Sequence, residues 1–234
     1  MIVLFSDFGL HGPYAGQMKA VLHQTVTSTS IIDLFADAPV GNPQGIGLPV
    51  GGLCCMVSGG YRLSLRRRSR RRRSALLSRP KAAGMSGWAT VCRAGEIHSW
   101  RIDWKPEDLS SSFHGRDLFA PVAAMLARGE PPPGRPCQDG THRRSDWPDD
   151  LFEIVYVDYF GNAMVGVRAA MLPSGAKLAA AGRVLERART FSDLPPGVAF
   201  WYENSNGLAE IAVNLGRADR DLGLTIGSPV EIIP

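Results

Sequence analysis

Ile2–Leu34, IVLFSDFGLHGPYAGQMKAVLHQTVTSTSIIDL, begins with four apolar residues that predict a short buried strand. A polar turn that contains Gly and Pro follows, and residues 14–23 then carry apolar side chains at helical spacing. Residues 30–34 predict a second buried strand. A strand, a helix and a strand in this order are typical of an α/β layer with parallel strands. We therefore expect the chain to begin with an α/β domain.

The remainder of the chain predicts a linker and a second domain. A strand remnant at residues 102–104 and a helix at residues 119–128 complete the first domain, residues 1–128. Residues 129–150 contain three consecutive prolines and several glycines, which is typical of a linker. Residues 151–234 show short β-type runs without a helical period, which predicts an all-β barrel or sandwich. These runs are residues 152–157, 163–167, 198–202, 209–214 and 229–233.

The composition is that of a folded globular protein. The chain has 234 residues, of which 44% are hydrophobic and 21% are charged. No apolar run is long enough to span a membrane, and residues 1–8 lack the basic start and the cleavage site of a signal peptide. The four cysteines show neither metal-ligand spacing nor a disulfide pattern. We therefore expect a cytoplasmic protein without a metal site and without a membrane partner.

The net charge of +4 originates in a single segment. Residues 45–96 contain eleven basic side chains and one acidic side chain, whereas the rest of the chain has 15 basic and 21 acidic residues. Seven arginines lie among the eight residues 66–73. Clustered arginine occurs in nucleic-acid-binding arms and in disordered basic insertions. Since the rest of the chain is acidic and offers no wider basic surface, we expect no nucleic-acid partner.

Two polar motifs lie in the first domain. Asp7 follows the first strand, at the edge where open α/β sheets bind ligands. Its carboxylate can accept two hydrogen bonds from a ribose diol. Alternatively, Asp7 can cap the following helix or be a turn residue. His114, in the stretch SFHGRD, can act as a general base, orient a water molecule, or be a structural histidine. Asp117 in the same stretch can cap the helix at residues 119–128.

Two polar turns lie in the second domain. Asp158–Asn162, DYFGN, follows a strand and is typical of a β-turn, but it also places a carboxylate, an aromatic ring and an amide together. Glu203–Leu208, ENSNGL, is a second turn between strands. Since such residues are common in hairpins, neither turn alone indicates a function.

Taken in order, SDFG, PYAGQMKAVL, SFHGRDLFAP, DYFGN and ENSNGLAEIAVNLG resemble the S-adenosylmethionine hydroxide adenosyltransferases, relatives of the fluorinase and chlorinase enzymes. The resemblance covers residues 1–44 and 97–234. It implies an N-terminal Rossmann-like α/β domain, a C-terminal β-barrel, and a homotrimer that holds S-adenosylmethionine between neighbouring subunits. The implied reaction is attack of water or hydroxide on the ribose C5′, which releases adenosine and methionine, and S-adenosylmethionine is the substrate rather than a cofactor.

The resemblance also implies roles for individual residues of the binding site. Asp7 would hold the ribose hydroxyls and Asn162 would contact the adenine. Phe160 would pack against the ligand. Asp158 and Ser205 would bind the amino and carboxylate ends of the methionine part.

The water-activating set of the family is incomplete in this chain. His114 corresponds to the histidine of the family's Asp-Arg-His set, a histidine that the halogenating relatives lack. The Asp-Pro-Gly-Val-Gly motif and the nearby Arg that supply the other two members are missing, and the arginine run stands in their place. We therefore expect little hydrolase activity from the chain as written. The alternatives are a non-catalytic protein that binds adenosine or S-adenosylmethionine, the product of a decayed gene and, less favoured by His114, a halogenase.

The arginine run has an explanation in the genetic code. If each codon is read from its second base, residues 66–75 can encode Val-Val-Asp-Pro-Gly-Val-Gly-Ala-Arg, which contains the missing motif. The same offset lets residues 88–96 encode Gly-Arg-Arg-Phe-Val-Gly-Pro-Glu and residues 45–61 encode an amphipathic helix. Because one constant offset yields three family-like stretches, our hypothesis is that residues 45–96 are an out-of-frame translation.

Overall fold

The computed structural model describes residues 2–39, 62–65, 73–78, 87–93, 96–137 and 150–233. The described residues up to 137 belong to one unit, and residues 150–233 belong to a second unit. Within these described ranges, no helix has the length and apolar character needed to cross a membrane.

The first unit contains one sheet and two helices. Its elements are β1 (Ile2–Phe5), α1 (Tyr14–Thr25), β2 (Ile31–Phe35), β3 (Arg62–Leu65), β4 (Arg73–Ser78), β5 (Gly87–Arg93), β6 (Glu96–Ile102), a π-helical turn (Gly115–Phe119), α2 (Ala120–Arg128) and β7 (Gly134–Cys137). The strand order is β2-β1-β3-β4-β5-β6-β7. The strand, helix and strand predicted at the start of the chain are present. The prediction that the second strand is buried is wrong, because β2 lies at the edge of the sheet and Ile32 is 45% exposed.

Strand direction changes along this sheet. β1 and β2 run parallel, as the sequence predicts, because α1 provides the crossover between them. The other neighbouring strands pair antiparallel. At the junction of β5 and β6, Arg93 pairs with Glu96 in antiparallel register. The parallel layer is therefore limited to the first two strands.

The core of the first unit lies between the start of the sheet and the two helices. Met18 and Leu22, one turn apart on α1, are buried together with Ile2 and Leu4 of β1. The apolar residues of α2 that join this cluster are Ala120, Val122, Ala123 and Ala124. α2 ends at Gly129, which adopts a left-handed conformation (φ 88°) that glycine tolerates without a steric penalty.

The predicted linker, residues 129–150, contains a strand. β7 pairs antiparallel with β6 and lies at the outer position of the sheet. Pro136 is compatible with that position because an edge strand has one side without ladder hydrogen bonds. The first unit therefore extends beyond residue 128, and residues 138–149 lie outside the described residues. The arginine run also lies outside them, except for Arg73 at the start of β4.

The second unit is a curled seven-stranded sheet. Its elements are β8 (Leu151–Val157), β9 (Ala163–Arg168), β10 (Lys177–Ala180), β11 (Arg183–Arg187), β12 (Ala199–Glu203), β13 (Leu208–Val213), α3 (Ala218–Asp221) and β14 (Glu231–Ile233). The strand order is β14-β10-β11-β12-β13-β9-β8. All neighbouring strands pair antiparallel except β11 and β12, which are parallel.

The two outer strands of this sheet are joined by the chain that leads into β14. Glu153 of β8 forms a bridge with Pro229, and Ile154 N donates to the carbonyl oxygen of Ser228 at 2.9 Å. Inside the curled sheet, Trp201 is fully buried and its indole N–H donates to the carbonyl oxygen of Ala176 at 3.1 Å. The predicted barrel-type arrangement of short strands is confirmed.

Candidate functional site

The loop after β1 carries Asp7 at the sheet edge where β1 and β2 both end. Ser6 N donates to the carbonyl oxygen of Phe35 at 2.9 Å, which ties this loop to the end of β2. Asp7 is partly exposed. α1 begins only at Tyr14 and is preceded by a proline without a side-chain cap. Asp7 therefore does not cap the helix, and its carboxylate lies at the ligand-binding edge of the parallel strand pair.

Three aromatic rings connect this loop to the loop that contains His114. Phe8 meets Phe113 edge to face, with 5.3 Å between the ring centroids, and Tyr14 meets Phe113 at the same distance. Phe8 and Tyr14 lie 5.8 Å apart. Phe8 directly follows Asp7 and Phe113 directly precedes His114, so the cluster brings the two predicted site segments of the first unit together. Edge-to-face packing of this kind is a favourable arrangement of aromatic rings.

His114 and Gly115 begin the π-helical turn that leads into α2. His114 is only 3% exposed. A side chain at position 115 would bring its Cβ to within 2.9 Å of the Phe8 ring and 3.1 Å of Met18 Sδ. Glycine is therefore required for the close approach of this turn to the aromatic cluster. π-helical turns are frequent at functional sites.

Asp117 holds the loop that precedes His114. Its carboxylate accepts hydrogen bonds from Ser110 N at 3.0 Å and from Arg116 Nε at 2.5 Å. Arg116 also donates to Gln17 of α1 at 3.1 Å. The hydrogen bonds from Arg116 and from the Ser110 N–H lower the pKa of Asp117. The interpretation of Asp117 as a helix cap is wrong, because its hydrogen bonds go to the preceding loop and to Arg116 and the turn has no side-chain cap.

The DYFGN turn between β8 and β9 is closed by its own side chains. Asp158 accepts from the backbone N–H of Asn162 at 2.8 Å and from its side-chain amide at 3.2 Å. Asn162 is 8% exposed, whereas Phe160 is 69% exposed. The β-turn interpretation is therefore confirmed, and the turn holds Asp158 and Asn162 side by side. Each Asp158 oxygen keeps a second lone pair that can accept from a ligand.

The segment that begins α3 braces the DYFGN turn, which sequence reasoning missed. Arg217 donates to the carbonyl oxygen of Tyr159 at 2.8 Å and forms a bidentate pair with Asp219. Asp219 N donates to the carbonyl oxygen of Gly161 at 3.0 Å. Gly161 adopts φ 85°, and a Cβ there would lie 2.5 Å from Asp219 Oδ1. The contact joins residues 58 positions apart in sequence, so no local pattern indicates it.

The ENSNGL turn between β12 and β13 carries Ser205, which is exposed. Asn204 organises this turn, because its side-chain oxygen accepts from Asn206 N at 2.9 Å and from Leu208 N at 3.1 Å. Gly207 adopts φ 78° and donates to the carbonyl oxygen of Asn204 at 3.0 Å. A cavity of about 590 Å³ opens beside the turn. Its lining residues are Arg187, Ala188, Arg189, Glu203 and Asn204.

Comparison with known proteins shows that family models match both the N-terminal and the C-terminal part of the chain. The family model described as SAM hydroxide adenosyltransferase N-terminal domain matches residues 2–45 and 84–134. The model described as SAM hydroxide adenosyltransferase C-terminal domain matches residues 152–231. The N-terminal match is interrupted between residues 45 and 84, inside the segment that departs from the expected motifs.

Individual relatives match nearly the whole chain. A protein of Thermus thermophilus named (R)-S-adenosyl-L-methionine hydrolase is 32% identical over 272 positions, which cover 99% of each chain. A protein of the same name from Salinispora tropica is 30% identical, covering 97% of this chain and 95% of its own. The crystal structure of an uncharacterized conserved protein from Thermotoga maritima shares the fold, with a TM-score of 0.67, 21% identity and coverage of 97% and 98% of the two chains.

Proposed function

Because the chain belongs to the SAM hydroxide adenosyltransferase family, we propose that its reaction is the hydrolysis of S-adenosylmethionine to adenosine and methionine. The observation that carries this proposal is the similarity of nearly the entire chain to proteins that are named for this hydrolysis. The contact between the Asp7 and His114 loops supports it, since a nucleoside and an attacking water must be held together. The names of the relatives specify the (R) epimer, and we extend that preference to this chain.

The chemistry demands positioning more than acid catalysis. Attack at C5′ breaks the bond to a sulfonium, so methionine leaves as a neutral thioether and needs no proton. The oxygen of water forms the new bond to C5′ and gives up a proton to a base. Orientation of water and substrate can supply a large share of such a rate enhancement. A general base such as His114 supplies a further factor of about 10² to 10⁴.

The binding residues divide between the two units. Asp7 accepts from the ribose hydroxyls and, in the second unit, Asn162 contacts the adenine while the exposed Phe160 ring packs on the ligand. Asp158 pairs with the substrate ammonium, and Ser205 donates to its carboxylate. The Asp158 carboxylate supports this assignment because Asn162 fixes its orientation before a ligand arrives.

In this proposal, the chain as written hydrolyses S-adenosylmethionine slowly. The motif that would supply the Asp and Arg of the water-activating set falls in the segment that the family model skips. The alignment to the Thermus thermophilus relative runs over 272 positions although this chain has 234 residues, which fits a chain with missing sequence. An out-of-frame segment at residues 45–96 combined with a deletion accounts for both observations.

The test compares the purified chain as written with a restored chain, in which the corresponding segment of the Thermus thermophilus relative replaces residues 45–96. Each protein is incubated with the (R) and (S) epimers of S-adenosylmethionine, and adenosine is measured by chromatography. We expect adenosine from the restored chain with the (R) epimer, at least about 100-fold faster than from the chain as written. His114→Ala in the restored chain is the control that should abolish the gain. A restored chain that forms no adenosine, or that forms a halogenated nucleoside with chloride, contradicts the proposal.

A second candidate function is binding without turnover, which the incomplete water-activating set favours. The chain as written would then bind adenosine and S-adenosylmethionine through the surviving residues. Titration calorimetry with both ligands, beside the turnover assay, separates a binder from an enzyme. A binder shows saturable heat and no adenosine release.

The proposal extends to assembly and location. We propose a homotrimer in which neighbouring subunits share each substrate, since the family resemblance places the ligand between subunits. Light scattering that reports a monomer would contradict this arrangement. We place the protein in the cytoplasm, because its four cysteines lack a disulfide pattern.

A further inference from the structure

A buried carboxylate lies directly behind the turn that carries Ser205. Glu210 lies on β13, where every residue is buried, and it is only 6% exposed. It faces Tyr202 across the β12–β13 pair. Burying a carboxylate is costly unless hydrogen bonds satisfy its oxygens. An aliphatic side chain would suit this strand without that cost, so the charge at position 210 calls for an explanation beyond the stability of the barrel.

Both oxygens of Glu210 are hydrogen-bonded. The Tyr202 hydroxyl donates to Oε1, and the side-chain amide of Asn204 donates to Oε2 at 2.8 Å. Burial and the negative charges of Glu210 and Asp158 raise the pKa of Tyr202 far above its usual value. Tyr202 therefore keeps its proton at neutral pH and donates it in the hydrogen bond to Glu210.

The bond from Asn204 to Glu210 determines which way the Asn204 amide points. Its NH₂ group must face the carboxylate, which leaves its oxygen to face the backbone N–H groups of Asn206 and Leu208. The reversed amide would place NH₂ against two N–H donors. Asn204 is thus held on both sides, and Ser205 follows it directly on the turn.

We propose that Glu210 is a positioning residue for the methionine end of the substrate, acting through Asn204 on the turn that presents Ser205. This inference rests on the proposed function, in which Ser205 binds the substrate carboxylate. Glu210 itself does not contact the ligand. It fixes the conformation of the turn before binding, so that no free energy is spent on ordering the turn afterwards.

The experiment measures ligand affinity by titration calorimetry for S-adenosylmethionine and for adenosine, which lacks the methionine part. We expect Glu210→Ala to weaken S-adenosylmethionine binding about tenfold and to leave adenosine binding within about twofold. Glu210→Gln should retain most of the affinity, because its amide oxygen can accept from Asn204 while its NH₂ donates to a rotated Tyr202 hydroxyl. Glu186→Ala is the matched control, since it removes an exposed carboxylate of the same barrel that lies outside the turn and its cavity, and it should change neither affinity.

Hydrogen exchange of the Asn206 and Leu208 amides provides a readout that needs no ligand. Both amides should exchange faster in Glu210→Ala than in the wild type, and Glu210→Gln should restore their protection. Equal losses of affinity for both ligands, or unchanged amide exchange, would overturn the positioning role while leaving the proposed function intact. A wild-type chain that binds neither ligand would instead overturn the proposed function, and the positioning role with it.

Discussion

The candidate site residues of the first unit and those of the second unit are held by different kinds of contact. In the second unit, Asn162 bonds to Asp158 only four positions away, and Asn204 bonds to Glu210 six positions away. In the first unit, the His114 loop depends on the Phe8 ring and on a bond between Arg116 and Gln17, which are 99 positions apart. The two bonds in the second unit close each turn locally, and the more distant brace from Arg217 to Tyr159 also lies within that unit. The His114 loop, in contrast, requires the first sheet and both helices to assemble. An altered segment at residues 45–96 should therefore disturb the His114 loop more than the turns of the second unit.

We expect the largest loss of unfolding free energy from a substitution in the core of the barrel. Trp201→Ala removes a fully buried indole, and we expect a loss of about 3–5 kcal/mol of unfolding free energy confined to residues 150–233. Hydrogen exchange of the wild type and of the variant, followed separately in the two units, measures this loss of stability. Trp201→Phe is the control, expected to cost less because most of the packing remains. Equal acceleration of exchange in residues 2–39 would contradict the expectation that the loss is confined to residues 150–233.

Gly115→Ala tests the first unit, where residues distant in sequence hold the His114 loop. The new Cβ would crowd the Phe8 ring and Met18 Sδ, so we expect a loss of about 1–3 kcal/mol in the first unit. Gly16→Ala on α1 is the matched control with the opposite sign, because no atom lies within 4 Å of its added Cβ and alanine favours the helix by about 0.5–1 kcal/mol. Denaturant unfolding of both variants measures the difference. A neutral Gly115→Ala would show that the aromatic cluster does not need this close approach.

Asp117→Asn should cost about 1 kcal/mol at neutral pH, since Arg116 is 37% exposed and solvent weakens the pair. Because the folded-state pKa of Asp117 lies below the unfolded value, its stabilisation is present above the unfolded pKa and is lost as the pH falls through the folded pKa. The stability difference between wild type and variant should therefore shrink below about pH 4. Urea unfolding of both proteins at several pH values checks this, and a difference that is constant with pH would contradict it.

Ala181→Asn should give the smallest effect, with a gain of up to about 1 kcal/mol in the barrel. Ala181 adopts φ 49° and Gly182 φ 72° in the two-residue turn between β10 and β11, a conformation that asparagine tolerates better than alanine. Thermal unfolding measures the gain. Gly182→Ala is the control, which should destabilise because it places a second alanine at positive φ. A lower melting temperature for Ala181→Asn would contradict this account of the turn.

The same turn shows where the sequence was insufficient. The runs at residues 152–157, 163–167 and 209–214 predict β8, β9 and β13 because they carry consecutive β-type residues. The hairpin of β10 and β11 was missed, because its turn is Ala-Gly rather than Asn-Gly and Leu185 is the only buried residue of β11. Its formation depends on packing inside the curled sheet, which a local pattern does not encode.

For the candidate site too, the sequence predicts some features and misses others. The turns that carry Asp158 and Ser205 could be located from their Gly and Asn residues alone. The Arg217 brace and the Glu210 carboxylate could not, because one joins distant residues and the other is a charge on a strand that reads as apolar. The ligand roles of Asp7, His114, Asp158, Phe160, Asn162 and Ser205 remain predictions.

The bridge between Glu153 and Pro229 also bears on self-association. An open sheet presents unpaired N–H and C=O groups on which another chain can add a strand, and closing the sheet withdraws them. The second unit has joined its outer strands, whereas in the part of the chain that the structure describes the sheet of the first unit ends at β2 and β7. Pro136 lies on β7 and offers no N–H to an incoming strand. Strand addition that leads to aggregation should therefore begin at β2.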